Sequence, residues 1–215
     1  MEEIKDYKEV KSLESLKMEK GMLYETIITS IDENGKGNAA PIGVVCKNPS
    51  EIILYLYEGS HTLSNILNSG NFTVNITHDP LLFTEATLGD LRGDFFIPYS
   101  QYLILKGASS FFTATTKDVK SVKRRDRYGE SKLFIIKADV KNIFKGKNFK
   151  EPLNRGIYAV IESLINYTRI DRAENKEDIL GRILDMKRVV DKVGGSREKL
   201  AMKKIVDSLR NLKVD

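Results

Sequence analysis

The spacing of hydrophobic residues in this chain changes once, at Pro152, and that change limits the possible folds more than any other feature. Upstream, from about Leu23 to Phe144, β-branched and aromatic residues come in short runs broken by Gly, Asn, Asp and Pro. YETIITSI (Tyr24–Ile31), NAAPIGVVC (Asn38–Cys46), EIILYLY (Glu51–Tyr57) and NFTVNIT (Asn71–Thr77) read as strands. So do QYLILKGASSFFTATT (Gln101–Thr116) and KLFIIKADVKNIF (Lys132–Phe144). Many strands at short spacing, with few helices between them, predict a barrel or a sandwich. Downstream the spacing is helical. Ile157, Val160, Ile161, Leu164 and Ile165 recur on one side of Asn154–Arg169. Ile179, Leu180, Ile183, Met186, Val189, Val190 and Val193 do so in Lys176–Gly195, and Leu200, Ile205 and Leu209 in Ser196–Leu212, which opens on a capping serine. These stripes predict core-facing helix surfaces. The reading is mainly β with a helical C-terminal part, divided as residues 1–150 and 151–215.

Two short helices interrupt the strands. HTLSNILNSG (His61–Gly70) has Ser60 or Thr62 to cap its start and Gly70 to stop it. Another begins at Asp79-Pro80, with the aspartate as cap and the proline at the first helical position. TEATLGDLRGDFFIP (Thr84–Pro98) reads as a long connection.

Composition removes several function classes. Hydrophobic residues make up 41% and charged residues 30% of the 215, a globular balance. No apolar run approaches the roughly 20 residues that span a bilayer. The start, MEEIKDYKEVKSLESLKMEKG, lacks the apolar core of a secretory signal, so a cytoplasmic address and no membrane partner are expected. Cys46 is the only cysteine, which excludes an intramolecular disulfide and fits a small buried hydrophobe. With His61 and His78 the only imidazoles, and no CxxC or HExxH spacing, no metal site and no Cys-His nucleophile are expected. The net charge of +5 permits phosphate-bearing ligands. The densest basic run, KSVKRRDR (Lys120–Arg127), adjoins the turn YGES (Tyr128–Ser131) and reads as a solvated hairpin end. Nucleic acid is not the expected partner, because the run has no aromatics interleaved with it.

One strand is unusual. In NAAPIGVV, the alternating face Ala39, Pro41, Gly43 is nearly bare, and Pro41 cannot donate to a ladder. Such a face leaves room for a flat ligand close to the backbone, or for a tight strand crossing in a small barrel. Pro41 places the stretch at an edge or break in a sheet, where unpaired backbone groups need partners. Next comes EGSHTLSNIL (Glu58–Leu67), a glycine turn into a helix with Ser60, His61 and Thr62 at its start. A helix N-terminus presents unpaired N–H groups and a dipole suited to phosphate, and Asn65 follows Thr62 on the same side. NFTVNIT then alternates Phe72, Val74 and Ile76 with Asn71, Thr73, Asn75 and Thr77, giving a polar face for solvent or a ligand.

In this order, Thr29–Val44, Gly59–Leu67 and Gly70–Thr77 resemble the FMN-binding split-barrel superfamily of flavin-reductase-like proteins. LKGASSFF (Leu105–Phe112) and FIIKADV (Phe134–Val140) resemble its closing strands. NRGIYAVIESLINYTR resembles a signature of an archaeal group of two-part proteins with a helical C-terminus. The resemblance implies a six-stranded split β-barrel of Greek-key type plus a small α-helical bundle, forming a homodimer with FMN near the interface. It implies that the backbone of Asn38, Ala39, Ala40 and Pro41 faces the flavin ring, that Ser60, His61 and Thr62 hold the phosphate with Asn65 in support, and that Asn75 contacts the ring or ribityl chain. Flavin reductases often carry Lys or Arg in the phosphate loop, whereas here His61 is the only ionisable group at its tip. Arg92, Arg155 and Arg169, from this subunit or the other, are candidates to neutralise the phosphate. The implied activity is that of a flavin-dependent oxidoreductase taking hydride from NAD(P)H. No GxGxxG fingerprint marks a separate nicotinamide site. The alternative is a non-catalytic flavin carrier or sensor.

Overall fold

The computed structural model describes residues 4–89, 91–126 and 129–211. It divides into two compact units, Met1–Leu153 and Asn154–Asp215.

In the first unit the order is β1 (Tyr7–Val10), β2 (Leu23–Ile31), β3 (Gly37–Asn48), β4 (Glu51–Tyr57), α1 (His61–Ser69), β5 (Asn71–Ile76), α2 (Pro80–Leu88), β6 (Phe96–Tyr99), β7 (Tyr102–Leu105), β8 (Ser110–Asp126) and β9 (Gly129–Gly146). The main sheet has seven strands in the order β1-β9-β4-β3-β2-β5-β8, and β8 also pairs with β9, so the pairings return on themselves. Every pairing is antiparallel. Ile28, Val44, Leu54, Phe72, Phe112 and Ile136, one from each strand of this circuit, share a single core cluster. On the opposite face Ile27 and Ala39 pack with Leu82 and Ala86 of α2 and with Leu105.

The short helices start and stop where their termini demand. Ser60 Oγ accepts from Leu63 N at 3.3 Å, and Gly70 takes the left-handed conformation (φ 72°) that ends α1. Asp79 Oδ1 accepts from Leu81 N at 2.9 Å, ahead of Pro80.

The structure corrects several expectations. The run Gln101–Thr116 is two strands, because Gly107 (φ +84°) turns the chain between Leu105 and Ser110. The connection Thr84–Pro98 contains the second half of α2, a 3-10 turn at Gly93–Phe95 and most of β6. The charged N-terminus adds β1 and a 3-10 turn, and it buries Leu13, Leu16 and Met18 completely or nearly so. The basic run forms the end of the β8–β9 hairpin, while Arg127 and Tyr128 lie outside the described residues.

The second unit contains α3 (Arg155–Tyr167), α4 (Lys176–Val193) and α5 (Ser196–Asn211). Its core draws on Val160, Ile183, Val190, Met202, Ile205 and Leu209. In α3, however, the packed face is Gly156, Ala159, Val160 and Ser163, while Ile157, Ile161 and Leu164 are each 46% exposed. The cause is a close approach: a Cβ on Gly156 would lie 3.0 Å from Gly194 Cα, so small residues face inward. Leu200 also points outward. Ser196 is the first residue of α5 rather than its cap, and Glu198 accepts from Gly195 N at 2.9 Å. Among the described residues, no helix is long and apolar enough to cross a membrane, and no cluster of His, Cys, Asp or Glu could hold a metal ion.

Candidate functional site at the start of α1

The partners of β3 change along its length. It pairs with β2 from Gly37 to Val45, but with β4 only from Val44 onward. Antiparallel ladders alternate the direction of their backbone groups. Cys46 donates to Met22 O at 3.0 Å, so the even-numbered residues of β3 face β2. Ala39 and Pro41 therefore turn their backbone groups, and Gly43 its N–H, to the other side, where no described strand pairs with them. Pro41 sits where its missing N–H costs no bond to β2, the edge position expected for a proline in a sheet.

Much of that bare face is covered, with Pro41 half-buried. Ala39 is 7% exposed and packs against α2. A Cβ on Gly37 would lie 2.7 Å from Leu103 Cδ1, and one on Gly43 would lie 2.9 Å from Leu23 Cδ2. Small residues are needed here so that α2, β7 and Leu23 can approach. The strand thus offers its backbone edge and not its side-chain face.

Two side-chain bonds tie the first turns of α1, one to β3 and the other to β2. Asn38 Nδ2 donates to Thr62 Oγ1 at 2.9 Å, and Asn65 Nδ2 donates to Ser30 Oγ at 3.1 Å. Thr62 and Asn65 are buried, whereas His61 is exposed. Asp32, Lys36, Gly37, Asn38, His61 and Asn65 line a cavity of about 110 Å³. Asp32 Oδ1 accepts from Asn34 N at 2.9 Å and from Lys36 N at 2.8 Å, which closes the β2–β3 turn and sets Lys36 at the cavity.

The structure therefore brings Asn38, His61, Thr62 and Asn65 together, with Ser60 capping the same helix and Ala39, Ala40 and Pro41 following Asn38 along β3. Asn75 is elsewhere. Fully buried, it donates to Ile27 O and to Thr29 Oγ1, both at 3.0 Å, and accepts from Leu105 N at 2.9 Å. Its amide fastens β7 to β2 and β5, so the polar face of β5 serves the fold. Arg92 pairs with Asp94 at 3.1 Å beside α2 and does not line this cavity, and Arg155 and Arg169 belong to the second unit. The cation that the sequence reading missed is Lys36. The signal was in DENGKG, because an aspartate that closes a turn delivers its lysine next to the first residue of the strand.

A family model described as "Protein of unknown function (DUF447) N-terminal domain" matches residues 24–142, and "Protein of unknown function (DUF447)" matches residues 154–207. The chain belongs to the DUF447 family. One relative, the uncharacterized protein MJ1453 of Methanocaldococcus jannaschii, is 32% identical over 200 residues, covering 89% of this chain and 98% of that one. The crystal structure of the FMN-bound DUF447 protein MM1853 from Methanosarcina mazei is 30% identical with a TM-score of 0.52, over 91% of this chain and 98% of that one. The flavin reductase SMOB of the Pseudomonas putida S12 styrene monooxygenase is 14% identical with a TM-score of 0.48, over 61% of this chain and 84% of that one.

Proposed function

We propose that this chain binds FMN at the start of α1 and along the free edge of β3, and serves as a flavin-reductase-like oxidoreductase in the cytoplasm. The observation that carries the reading is the meeting of a phosphate-suited helix start, Lys36 and His61 with an unpaired stretch of strand backbone. FMN-bound MM1853, which matches over nearly its whole length, supports it.

The fit is specific in its parts. A cavity of about 110 Å³ suits a phosphate and is far smaller than the roughly 300–1,000 Å³ of a pocket for a whole ligand. The rest of the nucleotide lies along β3, where Ala39 and Gly43 have N–H groups, and Ala39 and Pro41 carbonyls, for a planar ring edge. Lys36, His61 and the first N–H groups of α1 neutralise the phosphate, with Ser60, Thr62 and Asn65 shaping its cradle. The pairing circuit β9-β4-β3-β2-β5-β8 supports a six-stranded split barrel, and an open groove of this kind is completed by a second copy in a homodimer. When bound, FMN supplies the hydride and single-electron chemistry. The chain's residues bind it and orient it, leaving a ring face open to NAD(P)H.

The test is the visible spectrum of the purified protein, followed by FMN titration of any apo fraction and anaerobic mixing with NADH or NADPH. Flavin bands and saturable binding are expected, with rapid bleaching by one nicotinamide. A colourless protein indifferent to added FMN removes the reading. Binding without bleaching by either nicotinamide leaves a carrier or sensor.

A further inference from the structure

The outer face of β4, β9 and β8 carries chemistry that flavin binding does not use. Directly paired residues share a face, and the registers therefore fix the rows Tyr55–Ile135–Lys120 and Tyr57–Leu133–Val122. Arg124, opposite Ser131, extends the same face toward the hairpin end. The intervening residues, Leu54 and Ile136 among them, belong to the core, so these rows lie on the outer face, where Leu133 is itself covered (6% exposed) between the exposed Tyr57 and Val122. Tyr55 is 44% and Tyr57 48% exposed. Being two residues apart on one strand, they stand about 6.5–7 Å apart along it, a spacing that lets successive unstacked bases lie on the two rings.

Cations complete the surface. β5 pairs with β8 only as far as Thr115, and β4 pairs with β9 only as far as Leu133, so the hairpin continues beyond the sheet as a two-stranded arm. Carboxylates hold Lys117, Lys123, Lys132 and Lys137. Lys120 and Arg124 form no ion pair among the described residues. We infer that this face binds single-stranded nucleic acid, with Tyr55 and Tyr57 stacking on bases and Lys120 and Arg124 meeting phosphates. Sequence order hides the surface. The basic run has no aromatics within it, and the register brings them from β4.

The test is fluorescence anisotropy of labelled oligouridylate and oligothymidylate against the full chain saturated with FMN, over a series of salt concentrations. Binding is expected with a log–log salt slope of about −1.4, from two phosphate contacts on a single strand. Tyr55→Ala and Tyr57→Ala should each lower affinity roughly 5- to 100-fold at unchanged slope, with Tyr→Phe retaining it. Lys120→Ala and Arg124→Ala should each reduce the slope by about 0.7. A preference for one sugar decides between RNA and DNA, and either supports the inference. No binding at low salt overturns it, as does binding indifferent to the Tyr→Ala changes. Equal affinity for a duplex, tighter binding to phosphatidylserine vesicles, or a Tyr57→Ala variant that loses FMN and keeps the strand also overturns it.

Discussion

Asn38 Nδ2 donates to Thr62 Oγ1 at 2.9 Å, joining the first turn of α1 to the strand whose outer edge is unpaired. This bond sets the distance between the two parts of the proposed FMN site, the start of α1 and the free edge of β3. Thr62→Val keeps the shape, leaves the Asn38 amide without its acceptor and removes the hydroxyl from the cradle. A hydrogen bond to a charged group contributes about 1.5–3 kcal/mol, so FMN affinity should fall roughly 10- to 100-fold. Riboflavin affinity, measured by the same fluorescence titration, should fall much less. Equal losses for both ligands would remove Thr62 from phosphate recognition.

Lys36→Met separates charge from shape at the same cavity. The variant should bind FMN about tenfold more weakly and show a flatter dependence of affinity on salt. Its affinity for riboflavin should be unchanged. Isothermal titration at two ionic strengths reads all three, and an unaltered salt dependence would place the phosphate away from Lys36.

Asn75→Leu tests the role the structure gives this residue. It strands the Leu105 N–H and takes one donor each from the Ile27 carbonyl and Thr29 Oγ1 in a buried layer, where unsatisfied groups cost about 1–3 kcal/mol each. The urea midpoint should drop by an amount equivalent to roughly 2–4 kcal/mol, while the folded fraction keeps its FMN affinity. Selective loss of FMN binding at unchanged stability would return Asn75 to the ligand.

Much of this architecture was legible locally. The runs at Tyr24–Ile31 and Glu51–Tyr57, the cap at Ser60 and the stop at Gly70 are each set by neighbouring residues, and the structure has them in place. What failed depended on partners distant in sequence. The polar face of β5 reads as open until β7 covers it, and the bare face of β3 reads as a shelf until α2 packs on Ala39. The same is true of α3, where helical spacing offers two apolar-compatible faces and only the contact of Gly156 with Gly194 selects the smaller one. Lys36 was missed for the opposite reason, because a residue in a turn was read for its backbone alone.

Ala39→Leu follows from that covered face. Overfilling a packed layer against Leu82 and Ala86 costs about 1–3 kcal/mol, so thermal stability should drop. Gly43→Ala should cost less, since its new methyl meets only one side chain, that of Leu23. Differential scanning fluorimetry of the two variants checks the order, and a larger loss for Gly43→Ala would mean that β3 packs otherwise.

Cys46 gives a prediction in pH. The thiol is 1% exposed, and its Sγ lies 3.5 Å from Asn48 O and 3.7 Å from Met18 O. Burial, helped by the Glu14 carboxylate, pushes its pKa up to about 11. Near pH 8 the native thiol should resist alkylation, with labelling that tracks unfolding in urea. The linkage has a definite sign. Between an ordinary thiol pKa near 8.5 and about 11, the unfolded chain has lost a proton that the folded chain still holds, so stability falls as pH rises through that window. Below about pH 8.5 both states carry the proton, and this contribution is fully present. The rise corresponds to about 3 kcal/mol across the window. Lysines titrate there as well, so the measurement is the difference between the wild type and Cys46→Ala from pH 8 to pH 10.5 in urea melts. The wild type should lose stability faster, and parallel curves would show that the thiolate is tolerated in place.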